Sequence, residues 1–250
     1  RLAYFMDWEN SYHTSSDENN YWIWNFLKTC HGKGWLYKGR DSVPWCPRCG
    51  TAISQHEILT EEYKEITHRT VVFKLKIHGR EKEYLLAWTT TPWTIPGNVA
   101  LAVDPDLTYW KMKNEAGDTI YIVAPSGLKE VSADEMLVNK FGLSEGFEKV
   151  SEVKGEELIG LTYDAPFDDI PAVKKALGDY VHRVVSSDPL ILPINPAEGT
   201  GIVHVAPGAG GEDFRLGKKE KLPVIAEIDE MGLFLDDFDF LSGQHVKKAS

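Results

Sequence analysis

An apolar strand that runs into a threonine- and proline-rich segment constrains this chain more than any other feature. Residues 84–88 read Tyr-Leu-Leu-Ala-Trp, which predicts a buried strand, and residues 88–98 read Trp-Thr-Thr-Thr-Pro-Trp-Thr-Ile-Pro-Gly-Asn. Pro92 and Pro96 cannot donate ladder hydrogen bonds, so the strand must end where the threonines begin. Rigid loops at strand ends often carry binding residues. The spacing alone leaves open an ordinary polar exit from a strand.

Composition bounds the kind of protein. The chain has 250 residues, of which 42% are hydrophobic, and its mean hydropathy is -0.30, as expected for a globular protein with one sizeable core. No apolar run approaches the length of a membrane span. The net charge of -11 argues against broad nonspecific nucleic-acid binding. The start has neither an initiator Met nor a signal peptide, so we expect a piece of a longer cytoplasmic protein, and we expect it to be monomeric.

The chain divides into three zones by its pattern. Residues 1–44 are rich in aromatic side chains and carry one predicted helix. Residues 45–56 contain two of the three cysteines, and residues 57–250 contain mainly strands. A single helix cannot cover so many aromatic side chains, so we expect the first zone to pack against a part of the protein outside this chain.

The hydrophobic pattern predicts α+β architecture. The first helix is expected to be capped by Ser15 or Ser16 and to end near Gly32, and two further helices are expected at 132–141 and 212–221. A mostly antiparallel, barrel-like sheet with peripheral helices fits the order of the elements best. Strands are predicted at 69–77, 82–88, 99–103, 108–112, 119–123, 147–153, 181–186, 201–205 and 224–228.

A second dense segment lies more than a hundred residues further on. Residues 199–214 read Gly-Thr-Gly-Ile-Val-His-Val-Ala-Pro-Gly-Ala-Gly-Gly-Glu-Asp-Phe, in which glycines allow a ligand to approach the backbone and a short strand carries His204. Taken alone, His204 is better explained by a structural histidine of the core or rim, and Asp213 by a carboxylate at a helix N-terminus. The segment matches neither a phosphate-binding loop nor a dinucleotide fingerprint, and no catalytic triad order is present.

The pair Cys46-Pro-Arg-Cys49 indicates half of a zinc site. Two thiolates at this spacing can bind one Zn2+, and Gly50 permits the tight turn that follows. Cys30 and His31 could complete the tetrahedron, but ligands outside the chain are the favoured alternative. Zinc at Cys46 and Cys49 is therefore expected only with such external ligands.

The two dense segments together resemble the editing domain of isoleucyl-tRNA synthetases. Residues 43–50 are similar to the first half of the zinc site of that family, and residues 1–38 are similar to the adjoining edge of its catalytic domain, so the resemblance covers nearly the whole chain. Related editing domains of valyl- and leucyl-tRNA synthetases differ in the threonine motif and at the position of His204. Pro92 and Trp93 likewise favour the isoleucine family, whereas Ala209 departs from its pattern.

The resemblance implies that the chain hydrolyses the ester between valine and the terminal adenosine of tRNA(Ile), with no cofactor for this reaction. Asp213 would hold the α-ammonium group, a charge-assisted contact worth about 1.5–3 kcal/mol. A positioned water would attack the ester. The catalytic residues implied are Thr89, Thr90, Thr91 and Asp213, and the substrate-binding residues are Trp88, Thr94, Asn98, His204 and Asp213.

Some alternatives stay open at this level. Asn98 could anchor the terminal nucleotide or only tie down its own loop. The whole chain could be a noncatalytic module that binds an amino acid or the tRNA end, or a structural connector around the cysteine pair. The chain lacks the His-Ile-Gly-His and Lys-Met-Ser-Lys-Ser signatures of the family, so aminoacylation would belong to the remainder of the parent synthetase, which is the expected protein partner.

Overall fold

The computed structural model describes residues 7–60, 67, 69–125, 137, 141–143 and 146–249. The chain separates into two compact units, with the boundary between Asp41 and Ser42. The predicted helix at 132–141 falls almost wholly outside the described residues. No helix in the described part is long and apolar enough to cross a membrane.

The first unit contains one long helix, α1, over Asp17–Gly32. Ser16 caps it by accepting a hydrogen bond from the Asn19 N–H at 3.3 Å, as one of the two predicted caps. None of the residues in α1 is buried, although the helix is rich in aromatic side chains. Its large exposed side chains are Tyr21, Trp22, Ile23, Trp24 and Phe26.

The second unit begins with a small hairpin around the cysteine pair. Strands β1 (Trp45–Cys46) and β2 (Thr51–Ala52) pair antiparallel, and Gly50 closes the turn with a positive φ of 64°. The Gly50 N–H donates to the Cys46 carbonyl at 2.9 Å, which is the tight turn that the sequence predicts. A short helix, α2 (Gln55–Thr60), follows.

The rest of the second unit is built on eight strands and three α-helices in the described residues. The strands are β3 (Val71–Lys76), β4 (Glu83–Thr89), β5 (Ala100–Val103), β6 (Thr108–Lys113), β7 (Thr119–Val123), β8 (Glu148–Lys154), β9 (Arg183–Ser186) and β10 (Val203–Val205). The helices are α3 (Pro171–Leu177), α4 (Gly211–Glu220) and α5 (Val246–Ala249). Short 3-10 helices span Pro92–Gly97, Gly155–Glu157 and Asp239–Leu241.

The sheet is mixed and curls around β4. Its strand order is β8-β6-β7-β4-β10-β5-β9, and β3 also pairs with β4 along its whole length. The start of β4 pairs with β7 and its end pairs with β10, both parallel, so two wings of the sheet diverge from this one strand. The remaining pairs are antiparallel except β5 with β9. The α+β prediction is confirmed, and parallel pairs are more numerous than the sequence indicated.

Three groups of buried side chains fill the space around the sheet. One lies under α3 and α4 and includes Val205 and Leu216, a second lies between the sheet wings around Tyr109 and Tyr163, and a third surrounds Phe147. Burying a large apolar side chain contributes about 1.5–3 kcal/mol, so these groups hold the wings in place.

One predicted strand, at 224–228, is wrong. In this stretch only Ile228 forms a β-bridge, with Phe234. Pro223, just before it, has no N–H to donate, and the carbonyl groups of the stretch contact other parts of the chain. The Ile225 carbonyl lies against Gly208, and the Glu227 carbonyl accepts from the Leu235 N–H at 2.9 Å.

Gly155 provides a test of this packing. A Cβ on Gly155 would lie 2.0 Å from the Asp104 carbonyl oxygen, so the turn before β6 and the end of β8 can meet only over a glycine. We expect Gly155→Ala to lower the free energy of unfolding by about 1–3 kcal/mol, as in other overpacked sites, measured by urea unfolding. Gly211→Ala is the control, since among the described residues its Cβ would meet only the Ser42 side chain, with the Oγ at 3.4 Å and the Cβ at 3.9 Å. Equal stability of the two variants would contradict this close approach.

Candidate functional site

A parallel strand pair assembles the cavity that both dense segments line. Val203 of β10 pairs with Trp88 of β4, so the residues that follow each strand leave the same edge of the sheet side by side. The cavity between them has a volume of about 320 Å³. Its lining residues are Trp88, Thr89, Thr90, Thr91, Thr94, Pro193, Ile194, Asn195, Glu198, Gly199, Thr200, Gly201, Ile202, Val203, His204, Ala209, Gly210 and Asp213.

The threonine loop is held by its own hydrogen bonds. The Thr91 N–H donates to Thr89 Oγ1 at 3.1 Å, and the Thr94 hydroxyl donates to the Thr91 carbonyl at 2.8 Å. Thr89 and Thr94 are buried by these contacts, whereas Thr90 and Thr91 are exposed to the cavity. Pro92 begins the 3-10 helix that continues the loop, which explains why the strand stops at Thr89.

His204 is buried in the wall between the two dense segments, and both of its ring nitrogens have protein partners. Its Nε2 lies 3.0 Å from Thr94 Oγ1 and its Nδ1 lies 2.7 Å from Asn98 Nδ2. Burial lowers the pKa of His204 to about 4, and the Thr94 backbone only partly opposes this shift. The ring is therefore neutral at physiological pH, and neither nitrogen is available as a base toward a ligand.

Asn98 lies behind His204 and does not line the cavity. It is 1% exposed, and its side-chain NH2 also donates to the Ala100 carbonyl at 3.1 Å. The Tyr163 hydroxyl donates to Asn98 Oδ1 at 2.7 Å. The amide is thus fully engaged with protein groups, which favours the loop-tying role over contact with a nucleotide.

Asp213 lies in the first turn of α4 and lines the cavity. Its Oδ2 accepts a hydrogen bond from the Ala206 N–H at 2.8 Å, and no side chain caps the helix start at Gly210. Burial raises the pKa of Asp213, while the Ala206 N–H holds it down in part. No partner of Oδ1 is present among the described residues, so this oxygen can meet a positively charged group.

The cavity favours a cation over an anion. Asp213 and Glu198 contribute carboxylates, His204 is neutral, and no lysine or arginine is among the described residues of the lining. A ligand with an ammonium group gains a charge-assisted hydrogen bond here. An aliphatic group can lie beside it against Trp88 and Ile202.

The predicted catalytic and substrate-binding residues come together with one exception, whereas Cys46 and Cys49 of the predicted metal site do not line the cavity. Trp88, Thr89, Thr90, Thr91, Thr94, His204 and Asp213 all line the single cavity, and Asn98 lies behind it. Their roles in a reaction stay predictions. The residues are brought together from segments separated by more than a hundred positions, which local spacing cannot show.

Comparison with known proteins identifies the family. Residues 1–222 match the tRNA synthetases class I family (I, L, M and V). The chain belongs to this family. It is 38% identical over 246 residues to isoleucine–tRNA ligase 2 of Bacillus cereus and 39% identical over 249 residues to isoleucine–tRNA ligase of Clostridium acetobutylicum. The Sulfolobus acidocaldarius enzyme is 33% identical over 249 residues.

This class I synthetase chain corresponds to part of each relative. The matches cover 98% to 100% of the chain but only 22% of the length of each of these three ligases. Among solved structures, GlLeuRS-CP1 covers 68% of this chain and 69% of its own, with 19% identity and a TM-score of 0.44. The editing domain of the P. knowlesi cytosolic leucyl-tRNA synthetase covers 61% of this chain and 62% of its own, with 14% identity and a TM-score of 0.41.

Sequence reasoning missed one side of the synthetase cavity. The loop from Pro193 to Glu198 supplies part of the rim, and its sequence, Pro-Ile-Asn-Pro-Ala-Glu, matches no chemical motif. For Gly199 the sequence indicates only that a glycine-rich segment lets a ligand approach the backbone. Its φ of +58° and a Cβ position 2.7 Å from the Trp88 ring show that glycine is needed to seat the indole.

Sequence reasoning also missed Glu227, which packs behind the end of the threonine loop. It is 2% exposed, and neither carboxyl oxygen forms a hydrogen bond within the described residues. A Cβ on Gly97 would lie 2.6 Å from its Cδ, so the carboxyl group packs on the end of the threonine loop. Burial raises the pKa of Glu227 well above its usual range, although the Gly97 N–H is near enough to lower it somewhat.

Cys46 and Cys49 could provide two thiolate ligands to a metal ion. Hydrogen bonds from Cys49, first from its backbone N–H, lower the pKa of Cys46, and the neighbouring Cys46 raises the pKa of Cys49. Their donor chemistry suits half of a tetrahedral zinc site, but no group of three or more potential ligands occurs in the described part of the chain. Zinc here stays a prediction that requires external ligands.

The buried carboxyl of Glu227 predicts a pH-dependent stability. The unfolded chain releases this proton above about pH 4.3, whereas the folded chain retains it, so stability must fall as the pH rises toward the raised folded pKa. Glu227→Gln removes this loss. We expect the free energy of unfolding of Glu227→Gln to rise relative to that of the wild type by up to about 1.4 kcal/mol for each pH unit in that window. Urea unfolding at several pH values measures this difference.

The matched control for this prediction is Glu115→Gln, at an exposed position. It should leave the stability difference close to zero at every pH. A difference between Glu227→Gln and the wild type that does not change with pH would contradict the burial of a protonated carboxyl group.

Proposed function

We propose that this chain is an editing domain that hydrolyses the ester joining valine to the terminal adenosine of tRNA(Ile). The observation that carries the proposal is the arrangement of one cavity: exposed threonine hydroxyls on one wall, the Asp213 carboxylate on another and neutral His204 between them. The similarity to isoleucine–tRNA ligases over nearly the whole chain supports the choice of tRNA.

Asp213 places the substrate. Its free oxygen binds the α-ammonium group of the aminoacyl ester, while the Ala206 N–H fixes the other oxygen at 2.8 Å. A charge-assisted contact of this kind contributes about 1.5–3 kcal/mol and orients the carbonyl carbon relative to the threonine loop. Orientation of this sort accounts for a large part of the rate in hydrolytic sites.

Water is the nucleophile in this mechanism. Both nitrogens of His204 are engaged, so the ring does not deprotonate water, and no other side chain of the lining has the character of a strong base. Thr90 and Thr91 face the cavity and position water and ester by hydrogen bonds. Backbone N–H groups of the glycine-rich segment can stabilise the negative charge on the carbonyl oxygen.

His204 and Thr94 set the size of the side-chain pocket. Their contact at 3.0 Å joins the threonine loop to β10 and closes the wall against which an aliphatic side chain rests. A pocket that excludes isoleucine by size provides discrimination that binding alone cannot, because one methylene contributes only about 1–3 kcal/mol, a limit for which this enzyme class is itself the standard example.

The remaining parts of the proposal concern the parent protein. The tRNA body and the rest of a synthetase are the partners, and the exposed aromatic face of α1 belongs to the adjoining edge of the catalytic domain. Any zinc at Cys46 and Cys49 is structural and takes no part in hydrolysis. Aminoacylation belongs to residues outside this chain.

Replacing Asp213 tests the catalytic proposal. Asp213→Asn keeps the shape of the side chain but removes the charge that holds the ammonium group, so we expect hydrolysis of Val-tRNA(Ile) to fall by roughly 10- to 100-fold, the size of a charge-assisted hydrogen bond. The rate of the wild type should also fall as the pH drops toward the raised pKa of Asp213, because protonation removes the same charge. Deacylation of purified Val-tRNA(Ile) measures both effects.

The control for Asp213→Asn is Glu212→Gln, which changes an exposed carboxylate in the same turn of α4. It should retain nearly the wild-type rate at neutral pH. An Asp213→Asn variant that hydrolyses Val-tRNA(Ile) at the wild-type rate would remove Asp213 from its role. A wild-type chain that binds Val-tRNA(Ile) without hydrolysing it would instead support a noncatalytic binding module.

Enlarging the pocket tests the size limit. We expect His204→Ala to hydrolyse Ile-tRNA(Ile), which the wild type spares, because the imidazole no longer occupies the wall. The ratio of the rates for the valine and isoleucine esters is the measurement. His78→Ala, at an exposed position bonded to Asp164, should keep the wild-type ratio. Sparing of Ile-tRNA(Ile) by His204→Ala would show that size exclusion lies elsewhere.

A further inference from the structure

A directed chain of hydrogen bonds runs from Tyr163 to the threonine loop. The Tyr163 hydroxyl is 2.7 Å from Asn98 Oδ1, Asn98 Nδ2 is 2.7 Å from His204 Nδ1, and His204 Nε2 is 3.0 Å from Thr94 Oγ1. Thr94 Oγ1 is in turn 2.8 Å from the Thr91 carbonyl. Tyr163 and Asn98 are each 1% exposed and His204 is 7% exposed, so water cannot easily substitute for a missing partner.

The contacts of Asn98 show which atoms donate and which accept in this hydrogen-bond chain. The Ala100 carbonyl can only accept, so the atom 3.1 Å from it must be the amide nitrogen of Asn98. The amide oxygen then faces Tyr163, whose hydroxyl donates to it. The second hydrogen of the amide nitrogen points to His204 Nδ1, which must accept and therefore carries no proton.

The direction follows independently from Thr94. Its hydroxyl has one hydrogen, and the Thr91 carbonyl can only accept, so this hydrogen lies between Thr94 Oγ1 and the carbonyl. Thr94 Oγ1 must then accept from His204, which places a proton on Nε2. Both ends of the hydrogen-bond chain therefore indicate the same neutral form of the His204 ring, with its proton on Nε2.

The phenol of Tyr163 is protonated at neutral pH, and its neighbours hold it in place as a donor. Burial raises the pKa of its phenol well above the usual value, so the hydroxyl remains a donor. Its ring packs against His182 with 5.4 Å between centroids, and His182 Nε2 is 2.8 Å from Asp168 Oδ1. The backbone N–H of Tyr163 also bonds to the His182 carbonyl at 3.2 Å, which fixes the place from which the phenol donates.

We propose that Tyr163 is a positioning residue of the pocket, which acts through Asn98 to hold His204 as the tautomer with its proton on Nε2. The inference rests on the proposed editing function and adds to it the residue that determines which ring nitrogen of His204, in the pocket wall, carries the proton. With this tautomer, the Nε2 proton and the Thr94 hydroxyl proton are both used within the protein. The wall therefore offers an aliphatic side chain a neutral surface without a free donor.

Removing the phenol oxygen frees the amide of Asn98. In Tyr163→Phe the buried amide oxygen has no donor, and only the contact of the amide nitrogen with the Ala100 carbonyl still opposes a rotation that would bring the oxygen to His204 Nδ1. A proton on Nδ1 then becomes favourable, Nε2 becomes an acceptor, and the Thr94 hydroxyl must turn from the Thr91 carbonyl to His204. Asn98→Asp imposes the same reversal directly, because a carboxylate can only accept from Nδ1.

The test uses the whole chain labelled with 15N in its histidine rings. The 15N chemical shifts distinguish a protonated from an unprotonated ring nitrogen, and His204→Gln assigns the signals. We expect the wild type to carry its His204 proton on Nε2, Asn98→Asp to carry a proton on Nδ1, and Tyr163→Phe to populate the Nδ1 form. Hydrolysis of Val-tRNA(Ile) by Tyr163→Phe should fall about 3- to 10-fold, the size of one hydrogen bond, mainly in kcat.

Tyr180→Phe is the matched control. Its hydroxyl is buried nearby without a hydrogen-bond partner among the described residues, and its ring also packs on His182. This variant should keep both the wild-type nitrogen signals and the wild-type rate. A general loss of packing would affect Tyr180→Phe and Tyr163→Phe alike and would overturn the proposal.

The outcomes separate this inference from the proposed function. A wild-type proton on Nδ1, unchanged nitrogen signals in Tyr163→Phe, or an altered tautomer without a change in rate or in the valine-to-isoleucine ratio would each overturn the positioning role. Failure of the wild type to hydrolyse Val-tRNA(Ile) would contradict the proposed function, while the nitrogen signals would still test the hydrogen-bond chain.

Discussion

The parallel pairing of β10 with β4 is the contact on which the rest of the site depends. Val203 lies opposite Trp88 in a parallel register. The next residues, His204 and Thr89, therefore lie side by side with their side chains on the same face of the sheet. A shift of one residue would turn His204 to the opposite face of the sheet and separate it from Thr94. The antiparallel pairing of β10 with β5 on the other side holds this register in place. Close packing at Gly199 and Gly208 then brings the glycine-rich segment against Trp88 and Ile225.

Burial gives the polar groups of the site their properties. In a region of low dielectric constant, a hydrogen bond is strengthened and an unpaired polar group is costly, so the contacts of Asn98, His204 and Thr94 must be satisfied together. His204 is neutral because burial disfavours its charged form. The wall of the cavity is consequently rigid and uncharged, which suits the exclusion of a side chain by shape. The same ring would make a poor base, and this agrees with a mechanism that relies on positioned water.

Two carboxyl groups close to the site, of Asp213 and Glu227, differ in what surrounds them. Asp213 accepts a hydrogen bond from the Ala206 N–H and faces the cavity, where an ammonium group can compensate its charge. Glu227 lies behind the loop, neither of its oxygens forms a hydrogen bond with another described residue, and burial raises its pKa. The first is arranged to hold a ligand, whereas the second supports the loop through packing. Their different environments, rather than their shared chemistry, assign their roles.

The sequence by itself determined the local elements and most of the site residues. Alternating apolar residues and prolines located the strands and the threonine loop, and glycine and serine located the hairpin turn at Gly50 and the cap of α1, because these depend on near neighbours in the chain. The parallel register, the rim at 193–198, the tautomer of His204 and the burial of Glu227 were decided only by the tertiary structure. Each of these depends on groups distant in sequence, as when Tyr163 bonds to Asn98 and Asn98 bonds to His204. The predicted strand at 224–228 failed for the same reason, since packing against Gly97 and Gly208 replaced the ladder that its composition favours.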